Sequence, residues 1–184
     1  MRFRTTALLA LGLWVPAAAA GTIERLETAH DDGRYTVIFE VVLDAPRDKV
    51  WRIITDYEGL PRVSKIITES RTLKQEDANR HRIGVTLKAC ILFFCKTIKR
   101  VVDIEAKPPT EITVTEDPAN RHIRYAVERW QVQAEDDRTR LHYTAEVEPN
   151  FFIPPLIGPP VVKYFLRREI RLTAIEVEAL ARHE

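Results

Sequence analysis

From Tyr35 to Val147 the chain repeats one pattern, in which apolar and polar residues alternate along short segments separated by polar clusters. Tyr35, Val37, Phe39, Val41 and Leu43 line one side of the first such segment, Ile83, Val85, Leu87, Ala89 and Ile91 a second, and Leu141, Tyr143, Ala145 and Val147 a third. Ile98, Val102, Ile104 and Ala106 make a further strand, and a strand-like run from Ile112 to Thr115 follows the Pro108-Pro109 break. Successive side chains of a strand point to opposite faces, so a period of two with short polar turns predicts an antiparallel sheet with one dry face. In IRYAVERWQVQ the apolar parity changes, from Ile123, Tyr125 and Val127 to Trp130 and Val132. That change predicts a bulge near Glu128 and Arg129.

Two segments have helical spacing instead. In VVLDAPRDKVWRIITDYEGLP, Asp44 is placed to accept from the free N–H groups of a first turn, Pro46 suits that turn, and Asp48 favours the positive helix end. Val50, Ile53, Ile54 and Tyr57 then form one apolar stripe, and Gly59 with Pro61 ends it, predicting a short helix from about Pro46 after the first strand. Near the C-terminus Val162, Leu166, Ile170, Ala174, Val177 and Ala181 keep one helical face with Phe165 beside it, in a run without breakers. This predicts a terminal helix of roughly twenty residues. The order strand, short helix, several antiparallel strands, long helix predicts an α+β fold in which a curved sheet grips the terminal helix and the short helix closes one end.

The strand ending in Asp44-Ala45-Pro46, the run from Val50 to Pro61, the strand around Trp130 and the segment Arg138 to Tyr143 together resemble the START-like SRPBCC superfamily, in its polyketide cyclase/dehydrase and coenzyme-Q-binding branch. The resemblance covers about Arg34 to Arg182. It implies the helix-grip fold and a cavity between sheet and helix, but not the ligand, since members take up lipids, quinones, polyketides and hormones.

The first twenty residues read as an export signal: Arg2 and Arg4, an apolar run from Ala7 to Val15, and Ala18-x-Ala20 as a cleavage site. That run is too short for a membrane span, so the expectation is an exported, periplasmic protein comprising one domain over residues 21–184. Loss of Arg2 and Arg4 turns 28 basic against 27 acidic residues into a net charge of about −1, which gives no electrostatic reason to bind nucleic acid. The mixed clusters DDGR, KQEDANRHR and EDDRTR read as solvated turns.

By parity, and in a fold of this kind, the cavity candidates are Phe39, Val41, Ile83, Val85, Leu87, Val102, Ile104, Tyr125, Trp130, Tyr143 and Phe165. Parity alone leaves a filled core and a cavity equally compatible, and the resemblance favours the cavity. Arg100 shares this parity and joins the candidates; a head group, a buried carboxylate or water at the strand end could satisfy it, and water is favoured. No catalytic residue is assigned: neither Ser64 nor Ser70 lies in a G-x-S-x-G setting, and no spacing favours acid–base work by Tyr125, Glu128 or Tyr143. His30, His81, His122, His142 and His183 show no metal-ligand spacing, so neither metal nor cofactor is expected.

Cys90 and Cys95 are the only cysteines, and in an exported chain a disulfide clamping a tight hairpin at Ile91 to Phe94 is favoured. The apolar hairpin tip is a candidate for transient contact with a membrane or a partner, and the proline-rich run FFIPPLIGPPVV reads as an irregular loop, a packed connector in preference to a mobile gate at the cavity mouth. The expected function is exported binding, with carriage, of a hydrophobic small molecule such as a quinone or lipid by a monomer. The alternative is a cyclase/dehydratase-type enzyme acting on an apolar or aromatic substrate in the same cavity, and a third reading is an interaction module with a filled core.

Overall fold

The computed structural model describes residues 21–91 and 94–184; the expected export signal and the hairpin residues Leu92 and Phe93 lie outside them. Eight strands form one curved antiparallel sheet: β1 (Thr22–Asp31), β2 (Arg34–Leu43), β3 (Ile67–Gln75), β4 (Arg80–Ile91), β5 (Phe94–Lys107), β6 (Glu111–Glu116), β7 (Ile123–Glu135) and β8 (Arg138–Pro149). Their order in space is β1-β2-β8-β7-β6-β5-β4-β3, so β3 to β8 meander and β8 closes onto the β1–β2 hairpin. Helices α1 (Arg47–Thr55) and α2 (Leu60–Val63) link β2 to β3, and α3 (Gly158–His183) ends the chain.

The short helix therefore follows the second strand, because β1 precedes the one read as first. Both strands absent from the sequence reading, β1 and β3, are sheet edges. Most of their side chains are exposed or half-buried, so neither needs the continuous apolar face that betrays a strand. The β1–β2 turn does carry a local signal: Asp32 and Gly33 both have positive φ, 43° and 80°. An Asp-Gly pair with that backbone matches the right-handed twist of a two-residue hairpin.

Val50, Ile53, Ile54 and Tyr57 are buried, as their stripe requires. The Asp44 side chain does not cap α1, whose N-cap is Pro46 with no side-chain bond. Its carboxylate pairs instead with Arg182 of α3 at 2.8 Å. Beside it the Asp44 N–H donates to Glu178 at 3.0 Å, and Glu178 also holds Arg182 at 2.7 Å. A buried carboxylate with these partners ties the end of α3 to the start of α1.

Helix α3 is 26 residues long and begins at Gly158, so Pro159 and Pro160 lie in its first turn, where missing N–H groups do no harm. Ala174, Val177 and Ala181 are buried, whereas Val162, Leu166 and Ile170 are half-buried. The helix packs on β1, β2, α1 and α2. Phe39, Val41, Leu43, Val132 and Leu141 join its buried residues in the main core. The sheet is thus dry beneath the C-terminal half of α3 and less covered beyond it.

Candidate functional site: a polar row on the concave face

In β7 the register shift falls between Ile123 and Tyr125, not near Glu128. From Ala126 onward Ala126, Glu128, Trp130 and Val132 share the inward face. Tyr125 consequently turns outward, 37% exposed with the Arg34 guanidinium 4.5 Å above its ring, and leaves the set of cavity candidates.

The same shift brings Glu128 toward Arg100. Arg100 is not at a strand end in water: it sits within β5 opposite Val85, its side chain 15% exposed. Its Nε donates to Oε2 of Glu116, the last residue of β6, at 2.7 Å, and its Nη1 to Oε1 of Glu128 at 2.9 Å. The Tyr143 hydroxyl on β8 donates to the other oxygen of Glu128 at 3.1 Å. Tyr143 also packs on Trp130, ring centroids 4.3 Å apart. One polar row so crosses four neighbouring strands, β5 to β8.

Burial and charge shift the proton affinities of Glu116, Tyr143 and Arg100. Glu116, with a side chain only 2% exposed, has its carboxyl pushed above the usual range by burial, against the opposing pull of Arg100. Burial likewise raises the Tyr143 phenol well above its ordinary value, and the charge and hydrogen bond of Glu128 add to it. For Arg100 burial works against the charge, yet Glu128 and Glu116 together outweigh it and hold the guanidinium protonated. Arg100 Nη2 and Glu116 Oε1 have no hydrogen-bond partner, leaving a donor and an acceptor in the row.

Apolar side chains flank the row. On one side Ile98, Ile123 and Ala126 cluster with Leu87, Val147 and Phe151. On the other lies the main core, to which Phe39, Val41, Ile83, Val85, Val102 and Ile104 all belong as buried residues. Leu87, Trp130, Tyr143 and Phe165 are half-buried. The space under the dry half of α3, between Phe39, Trp130 and Leu141 of the sheet and Ile170 and Val177 of the helix, is only about 10 Å³, no larger than a water needs. A second groove of about 200 Å³, lined by Lys99, Arg100, Val101, Asn120, Arg121 and His122, opens to solvent beside the β6–β7 connection.

Glu116 was absent from the sequence reading, although Ile112, Val114 and Glu116 alternate and extending that strand by one residue would have found it. Cys90 and Cys95 are directly opposed in the β4–β5 hairpin with Cα atoms 4.0 Å apart, and they form the expected disulfide. Among the described residues no group of three or more His, Cys, Asp or Glu side chains is placed to hold a metal ion, and no helix is long and apolar enough to cross a membrane.

A curved antiparallel sheet closed by a long C-terminal helix, with a polar row on its concave face, defines a START-like helix-grip protein. Residues 34–182 match the polyketide cyclase / dehydrase and lipid transport family, and the chain belongs to it. Similar solved structures include the Zhui aromatase/cyclase from Streptomyces sp., with TM-score 0.70 and 14% identity over 82% of this chain and 94% of that one. A START superfamily protein from Mycobacterium smegmatis has TM-score 0.62 and 17% identity, over 80% of this chain and 97% of that one. A STAR-related lipid transfer protein from Xanthomonas axonopodis has TM-score 0.59 and 16% identity, over 86% and 97% respectively. At these identities the likeness is one of fold. No curated protein matches the sequence.

Proposed function

We propose that the mature chain, residues 21–184, is an exported, periplasmic and monomeric carrier of a hydrophobic small molecule of the quinone or neutral-lipid kind. One observation carries this reading: inward-facing Leu87, Trp130, Tyr143 and Val147 remain half-buried around a polar row, where a filled core would have sealed them. A ligand's apolar body would lie over these side chains and its polar end would meet Arg100 and Glu116, whose free donor and acceptor are otherwise uncompensated. The lipid-transport side of the family description and the fold shared with a lipid transfer protein support this class of ligand.

Arg100 already faces two carboxylates, which disfavours an anionic head group. The cyclase/dehydratase reading draws on one feature, the Tyr143–Glu128 hydrogen bond, which is an acid and a base in contact beside an apolar surface. Native mass spectrometry and organic extraction of protein purified from the cell envelope test the main reading. A bound apolar molecule, recovered chemically unchanged, is the expected result. Conversion of that molecule on incubation would favour the enzyme, and a mature chain starting at Met1 in the cytosol would remove the export reading.

A further inference from the structure

The proline-rich connection between β8 and α3 is a packed connector only in part: Phe151 packs against the sheet, but three of its other large apolar residues stay outside. Phe152 is 82% exposed, Leu156 92% and Ile157 67%, and Tyr164 in the second turn of α3 is 70% exposed. Isolated exposed apolar residues are ordinary, but four large ones within thirteen residues form a patch that calls for a partner.

The patch is anchored at one end. Phe151 packs onto the Ile98, Ile123 and Ala126 cluster, and the Lys96 ammonium lies 4.7 Å above its ring. The connection is therefore seated against the disulfide-bearing β4–β5 hairpin, beside the open half of the concave face. The Gly158 N–H donates to Pro154 O at 2.8 Å, and a Cβ at position 158 would meet the Ile153 side chain, which would have to move aside. Pro154, Pro155, Pro159 and Pro160 contribute no N–H groups, which lowers the number of backbone donors that would need partners in an apolar medium.

Charge selects the partner. Between Glu148 and Glu169 the chain carries Lys163, Arg167 and Arg168 and no acidic residue, and Arg171 follows. Tyr164, Arg167, Arg168 and Arg171 have the spacing of one helix face, and all four are exposed. Arg168 meets the largely buried Glu169. A second copy laid symmetrically on this patch would set arginines against arginines.

We propose that this patch docks the protein on a bilayer containing anionic phospholipid, with Phe152, Leu156 and Ile157 inserted among the acyl chains and Arg167 and Arg171 at the phosphates. Tyr164, with an apolar ring and a polar tip, suits the level between them. The inference stands apart from the ligand reading, since it requires no molecule in the concave face.

Co-sedimentation of the mature protein with vesicles tests it, using phosphatidylcholine alone and phosphatidylcholine with about one third phosphatidylglycerol. Binding to the anionic vesicles alone, weakened by salt, is expected. Phe152→Ser with Leu156→Ser should abolish it, and Arg167→Glu with Arg171→Glu should reduce it by roughly tenfold or more while circular dichroism and melting stay unchanged. The proposal is overturned if the native chain ignores anionic vesicles, if either pair of substitutions leaves binding intact, or if the serine variant instead dissolves a concentration-dependent dimer.

Discussion

Replacing Arg100 by methionine removes one guanidinium and leaves Glu116 and Glu128 facing each other in the sheet interior. The native arrangement contains two charge-assisted hydrogen bonds, of 2.7 and 2.9 Å, to carboxylates whose side chains are 2% and 15% exposed. At an effective dielectric of about 20, each ion pair at ~4 Å represents roughly 4 kcal/mol of gross attraction. Both carboxylates remain desolvated after the substitution, so much of that attraction is lost without a compensating gain in hydration. Removing one partner of a buried pair typically costs about 3–5 kcal/mol, and we expect Arg100→Met to fall in that range at pH 7.

The pH dependence follows from the same electrostatics. Glu116 already has a folded-state pKa above its unfolded value, so the folded chain holds its proton more tightly than the unfolded chain does. Such a group favours folding below the unfolded pKa and ceases to do so as pH rises through the folded one. Without Arg100 the folded pKa should rise further, and the deficit of Arg100→Met should shrink as pH falls from 7 toward about 5. Adding Glu116→Gln and Glu128→Gln should restore most of the lost stability, since no buried charge then remains in the row. Urea denaturation of the three proteins, native, Arg100→Met and the triple variant, at both pH values measures this. A deficit below about 1 kcal/mol, or one that neither acid nor the two glutamines relieve, would refute the account of a compensated buried cluster.

Enlarging two inward positions should have opposite consequences. Val102→Trp overpacks the dry core and should cost about 1–3 kcal/mol in thermal or urea unfolding, whereas Leu87→Trp at the half-buried end should keep stability and lower ligand affinity, as read by retention of the co-purified molecule. Burial pushes the Tyr57 phenol up to about 12, so the stability its neutral form provides in full below about pH 10 should be lost as pH rises through about 12. Ultraviolet titration of Tyr57→Phe should lack one late-ionising phenol. Replacing Cys90 and Cys95 by alanine should lower stability by at most about 3 kcal/mol without preventing folding, and two thiols titrated from the unreduced native protein under denaturing conditions would exclude the disulfide.

Local pattern was enough to identify the six strands with apolar faces, the stripe Val50, Ile53, Ile54 and Tyr57, and the buried C-terminal turns of α3. Each is written in residues a few positions apart, because burial of one face imposes its period on the segment itself. The edge strands β1 and β3 escaped that reading because little burial is imposed on them. The site depended on information of another kind. Whether Tyr125 or Glu128 points inward is decided by where β7 slips against β8. Arg100 reaches carboxylates 16 and 28 residues away, and Asp44 meets Arg182 138 residues along the chain. A charge on an inward parity specifies only that a partner is needed; inter-strand register and the seating of α3 determine which side chain supplies it.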